Sequence, residues 1–396
     1  MTAVDSRPLR SEPAPVTAIS HVPALDGLRG VAILLVVTHH FGAVAGFAAT
    51  NSWPGRLIER IFYAGWAGVD LFFVLSGFLI SSVLLASRDR PGYFKNFYSR
   101  RALRILPLYY GTLILGLAVL PLAGPLPASF VGEAHGHSAW LWTYTTNIAL
   151  ALGWVSSFGV FDLYWTLAIE EQFYLVWPLV VRLAPPRTLA WIAAATVVGA
   201  LVLRAWWIDT AGSWPAVYRF TFTRIDALAL GALVALAVQS QRGRRRAVQA
   251  APWILAAACA AFAFMFASIN PFYPSANAVI VGGHSVLGVL FAAVVFVLVA
   301  MPGDRFTRLL SITALRWCGT ISYGVYVWHW PFRLVLDRTY PVPAMAASAG
   351  VQWRHAAGFL LLGLAGSLLL GWLSYRFYEA RFLRLKSRFR YDPPRR

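Results

Sequence analysis

His40 stands eleven residues after Arg29 in the stretch LDGLRGVAILLVVTHHF (25–41), with His39 beside it and an apolar run between. On a helix, eleven steps at about 100° return His40 to nearly the face of Arg29, roughly 16 Å further along, and point His39 about 100° away. Near pH 7 a neutral imidazole suits proton abstraction from a hydroxyl. The plainer reading is a histidine satisfied by a neighbouring helix carbonyl. Glu170 and Glu171 are adjacent carboxylates in YWTLAIEEQFYLVWP (164–178). In an apolar, aromatic run such a pair is expensive, so at least one should face a cavity, an arginine or the histidines. Asp70, entering WAGVDLFFVLSGFLIS (66–81), reads as a group that orients or charges a neighbour. Ser76 and Gly77 in that stretch read as a packing spot.

Arg100, Arg101 and Arg104 cluster in KNFYSRRALRILP (95–107). They fit either a cytoplasmic charge anchor or a clamp for a phosphate-rich anion, and composition does not separate the two. In RIDALALG (224–231), Arg224 and Asp226 are two residues apart, so they do not face each other on a helix and each should pair elsewhere. His329, between Trp328 and Trp330, could bind an acceptor or anchor the span at the interface. Acceptor-binding candidates are thus His39, Trp165, Arg224, Asp226 and His329. Cys259 and Cys318 belong to no CxxC or Cys/His cluster, so no metal is expected.

The elements that must position these groups are membrane helices. Of 396 residues, 59% are apolar and 13% charged, and the mean hydropathy is +0.61. A soluble domain carries about 25% charge. An all-α polytopic bundle follows, with ten runs of spanning length near 31–48, 66–86, 105–123, 163–181, 188–208, 217–238, 251–269, 279–300, 319–336 and 357–376. The net charge of +18 does not call for nucleic acid, because most basic residues fall in short inter-span segments. With both termini cytoplasmic, 26 of the 34 Lys and Arg lie on that side. An eleventh apolar stretch, 138–153, would flip this parity if it crossed. It is therefore expected to be re-entrant or surface-lying and to help line a wet cavity. Residues 1–24 read as a disordered cytoplasmic arm without a signal peptide, 25–380 as the membrane domain and 381–396 as a basic cytoplasmic tail.

Taken in order, LDGLRG…HH, GVDLFFVLSGFLIS, FYSRRALRILP, YWTLAIEEQFY, RIDALALG and ISYGVYVWHWPF resemble the acyltransferase 3 family over about residues 24–380. The resemblance implies a ten- or eleven-helix domain in the cell membrane. It further implies transfer of an acyl group from acyl-CoA, the co-substrate, to a hydroxyl of a saccharide or a macrolide-type natural product. The family's Arg-x10-His positions fall on Arg29 and His40, its Arg-x-x-Arg positions on Arg101 and Arg104, and its acidic position on Glu170 and Glu171. Some members carry a fused extracytoplasmic hydrolase-like domain. With 20 residues after the last span, this chain is expected to lack it. The implied mechanism seats the CoA pyrophosphate on Arg100, Arg101 and Arg104, with Arg29 aiding anion binding or setting the site's charge. His40 is the base, held by Glu170, Glu171 or Asp70. A proton-coupled transporter of a small polar or sugar-like solute is the competing reading, since intramembrane His, Glu and Arg also build proton relays.

Overall fold

The structure, a computed structural model, describes residues 22–47, 52–124, 127–211, 214–268, 277–301, 303–340 and 349–389. No β-strand occurs among them. The long helices are α1 (Pro23–Gly42), α2 (Trp53–Tyr63), α3 (Ala67–Ser87), α4 (Tyr93–Ile114), α5 (Tyr164–Leu183), α6 (Pro186–Ala211), α7 (Asp226–Gln239), α8 (Gln241–Ser268), α9 (His284–Ala300), α10 (Thr313–Thr339) and α11 (Ala349–Ser374). All but α2 overlap the ten expected runs. Among the described residues, seven stretches are apolar and long enough to cross a membrane by length and composition. α5 is diluted by Glu170 and Glu171, α7 has only 14 residues, and α10 is rich in polar and aromatic side chains. The expected arm lies almost wholly outside the described residues. The expected tail is helical through Arg388, and the rest of it beyond Phe389 is likewise outside them.

α1 begins eight residues earlier than expected, with Pro23 in its first turn, where a missing N–H costs nothing. Arg29 is therefore two turns inside the helix. His39 and His40 occupy its last turn. The expected span 217–238 is also interrupted. Phe220 is extended between the short helices Trp214–Arg219 and Thr221–Arg224, and the Thr223 hydroxyl donates to Val217 O (2.5 Å) and Phe220 O (2.7 Å). Side-chain bonds of this kind compete with the helical ladder.

Glycines allow two close crossings of long helices. A Cβ on Gly319 of α10 would lie 1.9 Å from Asp26 O of α1, and one on Gly77 of α3 would lie 2.0 Å from Leu228 O of α7. The packing role expected of Gly77 is thus observed, and it joins two of the sequence motifs into one contact.

Residues 138–153 form two short helices, Ser138–Trp142 and Thr146–Ala151, broken at Tyr144, whose φ is 56°. The flanks of this segment are clasped together. Glu133 N donates to Ser157 O (2.8 Å), while Ser156 N donates to the Glu133 carboxylate (2.9 Å), as does the Ser156 hydroxyl. These bonds hold the Glu133 carboxyl below the usual carboxylate range. Both ends of 138–153 therefore lie on one side of the bundle, and the segment does not cross it. Its inner face is buried protein. Gln172 Nε2 donates to Tyr144 O (2.8 Å) and Asn147 Oδ1 (2.9 Å), and Asn147 Nδ2 donates to Thr221 Oγ1 (2.8 Å).

Candidate functional site

Three of the expected arginines converge. α1 brings Arg29 and α4 brings Arg101 and Arg104 to a cavity of about 130 Å³, whose wall also holds Ser76, Thr166, Glu170, Ser322, Tyr323 and Tyr326. A second, more open hollow of about 310 Å³ shares Arg29, Arg101 and Arg104 with it and adds Arg100 and Lys386, and we take this hollow as the cavity's opening. Arg100 is turned partly away, its Nη1 donating to Lys386 O (3.3 Å) and Phe389 O (3.2 Å). No side chain from 138–153 lines the cavity, so that part of the expectation is not met.

The two adjacent glutamates part company. Glu170 lines the cavity and accepts a hydrogen bond from the Ser76 hydroxyl at 2.6 Å. Ser76 thus does more than pack. Glu171 points to Arg101, with 3.9 Å between Oε1 and Nε. The Arg101 guanidinium in turn lies 3.6 Å from the centre of the Tyr174 ring, a cation–π contact.

At the far end of α1 the two histidines meet a third. His329 Nε2 lies 3.2 Å from His40 Nδ1. His40 Nδ1 is also 2.9 Å from Val36 O, while His329 Nδ1 is 2.7 Å from Tyr326 O and 3.1 Å from Val325 O. A carbonyl can only accept, so both Nδ1 atoms carry hydrogens. His329 Nε2 then accepts from His40, which leaves His40 Nε2 with a free lone pair. His329 is 0% exposed, so it is not an interfacial anchor. The expected carboxylate partner of His40 is not observed. Among the described residues the rings around His40 are those of His329, His39 and Trp330, the charge acting on it is the Arg333 guanidinium that lies over Trp330, and Glu170, Glu171 and Asp70 are all engaged elsewhere. His39 packs on Tyr63, 5.9 Å between ring centres. Tyr326 separates this trio from the cavity. Its hydroxyl meets Thr166 Oγ1 (2.5 Å) and donates to Leu163 O (3.0 Å), and its ring centre lies 5.6 Å from that of His329. His40 is not among the residues lining the cavity.

Asp70, Arg224 and Asp226 belong to a third, buried cluster. Arg224 Nη2 pairs with Asp70 Oδ1 at 2.9 Å, and Arg204 Nη2 with Asp226 Oδ2 at 2.8 Å. Each charge does find its partner on another helix, as the two-residue spacing required. His284 Nδ1 lies 3.1 Å from Asp70 Oδ2, and Ser285 donates to Asp226 at 3.3 Å. Arg204 also donates to Val281 O (3.1 Å) in the π-helical turn Val279–Gly283, which widens the helix just before His284. Trp165 is buried against Tyr218, ring centres 5.1 Å apart, and Tyr218 in turn covers Arg224 at 4.9 Å. None of these charged groups lines the cavity.

The fold and these groups define a multi-helix membrane protein with an arginine-lined cavity at one end of its first helix and a histidine pair at the other. The chain belongs to the acyltransferase 3 family, whose acyltransferase domain matches residues 22–376. It is 28% identical over 383 residues to the peptidoglycan O-acetyltransferase OatA of Listeria monocytogenes, covering 91% of this chain and 55% of that protein. It is 30% identical over 374 residues to the putative peptidoglycan O-acetyltransferase YrhL of Bacillus subtilis, covering 91% and 54%. A putative O-acetyltransferase of Staphylococcus aureus is 26% identical over 379 residues, covering 91% and 57%. The chain thus spans about half the length of the curated relatives it matches. No solved structure matches it.

Proposed function

We propose that this protein is a membrane O-acyltransferase that moves an acetyl or other short acyl group from acyl-CoA to a saccharide hydroxyl. The observation that carries the reading is the cavity itself: arginines at its opening, a mostly apolar wall within, and one carboxylate, Glu170. That gradient suits a ligand with a phosphate-rich head and a slim uncharged arm. The names of the relatives support an O-acetyl transfer and point to a cell-wall saccharide as acceptor. A macrolide-type hydroxyl is the alternative acceptor.

In this reading the arginine end of the bundle, with both termini, faces the cytoplasm. His40 Nε2 takes the proton as the acceptor oxygen attacks the thioester carbonyl. The C–S bond then breaks and CoA leaves as the thiol, protonated from the imidazolium directly or through water. His329 holds the imidazole in the tautomer that leaves Nε2 free, the role a carboxylate plays in other His-based sites. Because the cavity stops at Tyr326, the acyl group passes that side chain to reach His40. The test is thiol release by the detergent-purified full chain given acetyl-CoA and peptidoglycan fragments or macrolides. Acceptor-dependent release that is lost in His40→Ala is expected. Equal release by wild type and His40→Ala would overturn the assignment of the base.

A further inference from the structure

The cations at the cavity opening do not share counter-charges equally. Asp26 and Glu170 act on Arg29, Glu171 and Glu170 on Arg101, and Glu379 on Arg104. Lys386 is different: it lines the same opening as Arg29, Arg100, Arg101 and Arg104, and among the described residues these four, all of its own sign, are the charges that act on it most strongly. Such a gathering at an opening raises the local potential and favours an anion of several charges. The position is also built, not accidental. Lys386 sits on the 3-10 turn Leu385–Arg388, and Arg100 of α4 fixes that turn by its bonds to Lys386 O and Phe389 O. The π-helical turn Tyr375–Glu379 leads into it and is itself tied to α4, where Tyr378 donates to Pro107 O at 3.0 Å. All of Leu385–Phe389 lies beyond residue 376, where the family match stops.

We propose that the turn Leu385–Phe389 is one wall of a polyphosphate site and that Lys386 is a phosphate-binding residue of it. The ligand is the nucleotide end of the acyl donor, so the source of the phosphates, though not the anion site itself, rests on the donor proposed above. Arg100 acts as the positioning residue: two main-chain carbonyls occupy its Nη1 and thereby hold the Lys386 ammonium over the opening. The arginines within the cavity then remain free to meet the arm of the ligand.

The experiment measures binding of two probes, inorganic pyrophosphate and CoA, to the full chain in detergent by titration calorimetry. Lys386→Glu is expected to bind each about tenfold or more weakly, the scale of one lost charged hydrogen bond. Lys386→Met, which keeps the stem, should lose several-fold, and Lys386→Arg should stay close to wild type. Pyrophosphate bound by wild type and lost in Lys386→Glu, with no CoA binding at all, keeps the anion site and removes the acyl-CoA reading. Equal binding of both probes by wild type, Lys386→Glu and Lys386→Met overturns the site, as does a wild type that binds neither.

Discussion

His329 Nε2 lies 3.2 Å from His40 Nδ1, so the partner of the candidate base is another imidazole and not a carboxylate. An acidic partner would hold a proton on Nδ1 by charge. Here the carbonyl of Val36 and the lone pair of His329 do so without charge. His40→Ala should lower acceptor-dependent thiol release about 10²–10⁴-fold, the usual worth of a general base. His329→Ala should lower kcat at least about tenfold with little change in KM. His329→Gln, whose amide oxygen can accept from His40 Nδ1, should recover part of the loss. A purely structural His329 would instead show lowered protein yield and no such recovery.

The adjacent glutamates should separate kinetically. Glu170 lines the cavity and binds Ser76, while Glu171 sits against Arg101 at its side. Glu170→Gln keeps an acceptor for Ser76 and removes only the charge. A fall in kcat/KM of about tenfold is expected, on the scale of one hydrogen bond to a charged group. Glu171→Gln, whose carboxylate is partly exposed, should change it only a few-fold. Steady-state kinetics with acetyl-CoA as the varied substrate decide between them.

The cluster about Asp70 should govern stability more than rate. Asp70→Leu strands a buried guanidinium that is 1% exposed, a loss of about 3–5 kcal/mol. The thermal midpoint in detergent should fall clearly. Adding Arg224→Met to Asp70→Leu should restore much of it, since an apolar replacement of both partners leaves little charge uncompensated.

The clasp between Glu133 and Ser156 predicts labelling from one side only. With Cys259 and Cys318 replaced, a cysteine at Gly136, where a Cβ meets open space, and one at exposed Trp154 should react with an impermeant maleimide from the same face of the membrane. In the proposed orientation that face is the outer one. Reaction from opposite faces would mean that 138–153 crosses.

Much of this site was legible in the residues. Arg29, Arg101, Arg104 and Glu170 were singled out by type and spacing, and they do share one cavity. Helix edges were less so: the first span was expected to start near residue 31, although Pro23 marks the true start of α1. Arg204 and His284 were missed although each is a titratable group inside an apolar run, the same signal that raised Glu170. Their partners could not be read, because Asp70 and His284 are 214 positions apart and meet only once α3 and α9 pack. Lys386 looked like one more basic residue in a tail. Its significance lies in the fold of the turn, which brings it over α4. The pairing of His40 with His329 was likewise hidden by a separation of 289 positions.

Arg29 and His40 are fixed to one rigid rod, and the eleven steps between them set a span of about 16 Å that no motion of neighbouring helices can shorten. On the proposed reading α1 is a ruler laid between two workplaces. The nucleotide stays at one end and the sugar at the other, and the slim arm of the donor carries the acyl group, still bound to its sulfur, along the length between. A cell could then decorate a polymer outside its membrane with a carrier that never leaves the inside, and neither partner would need a transporter of its own.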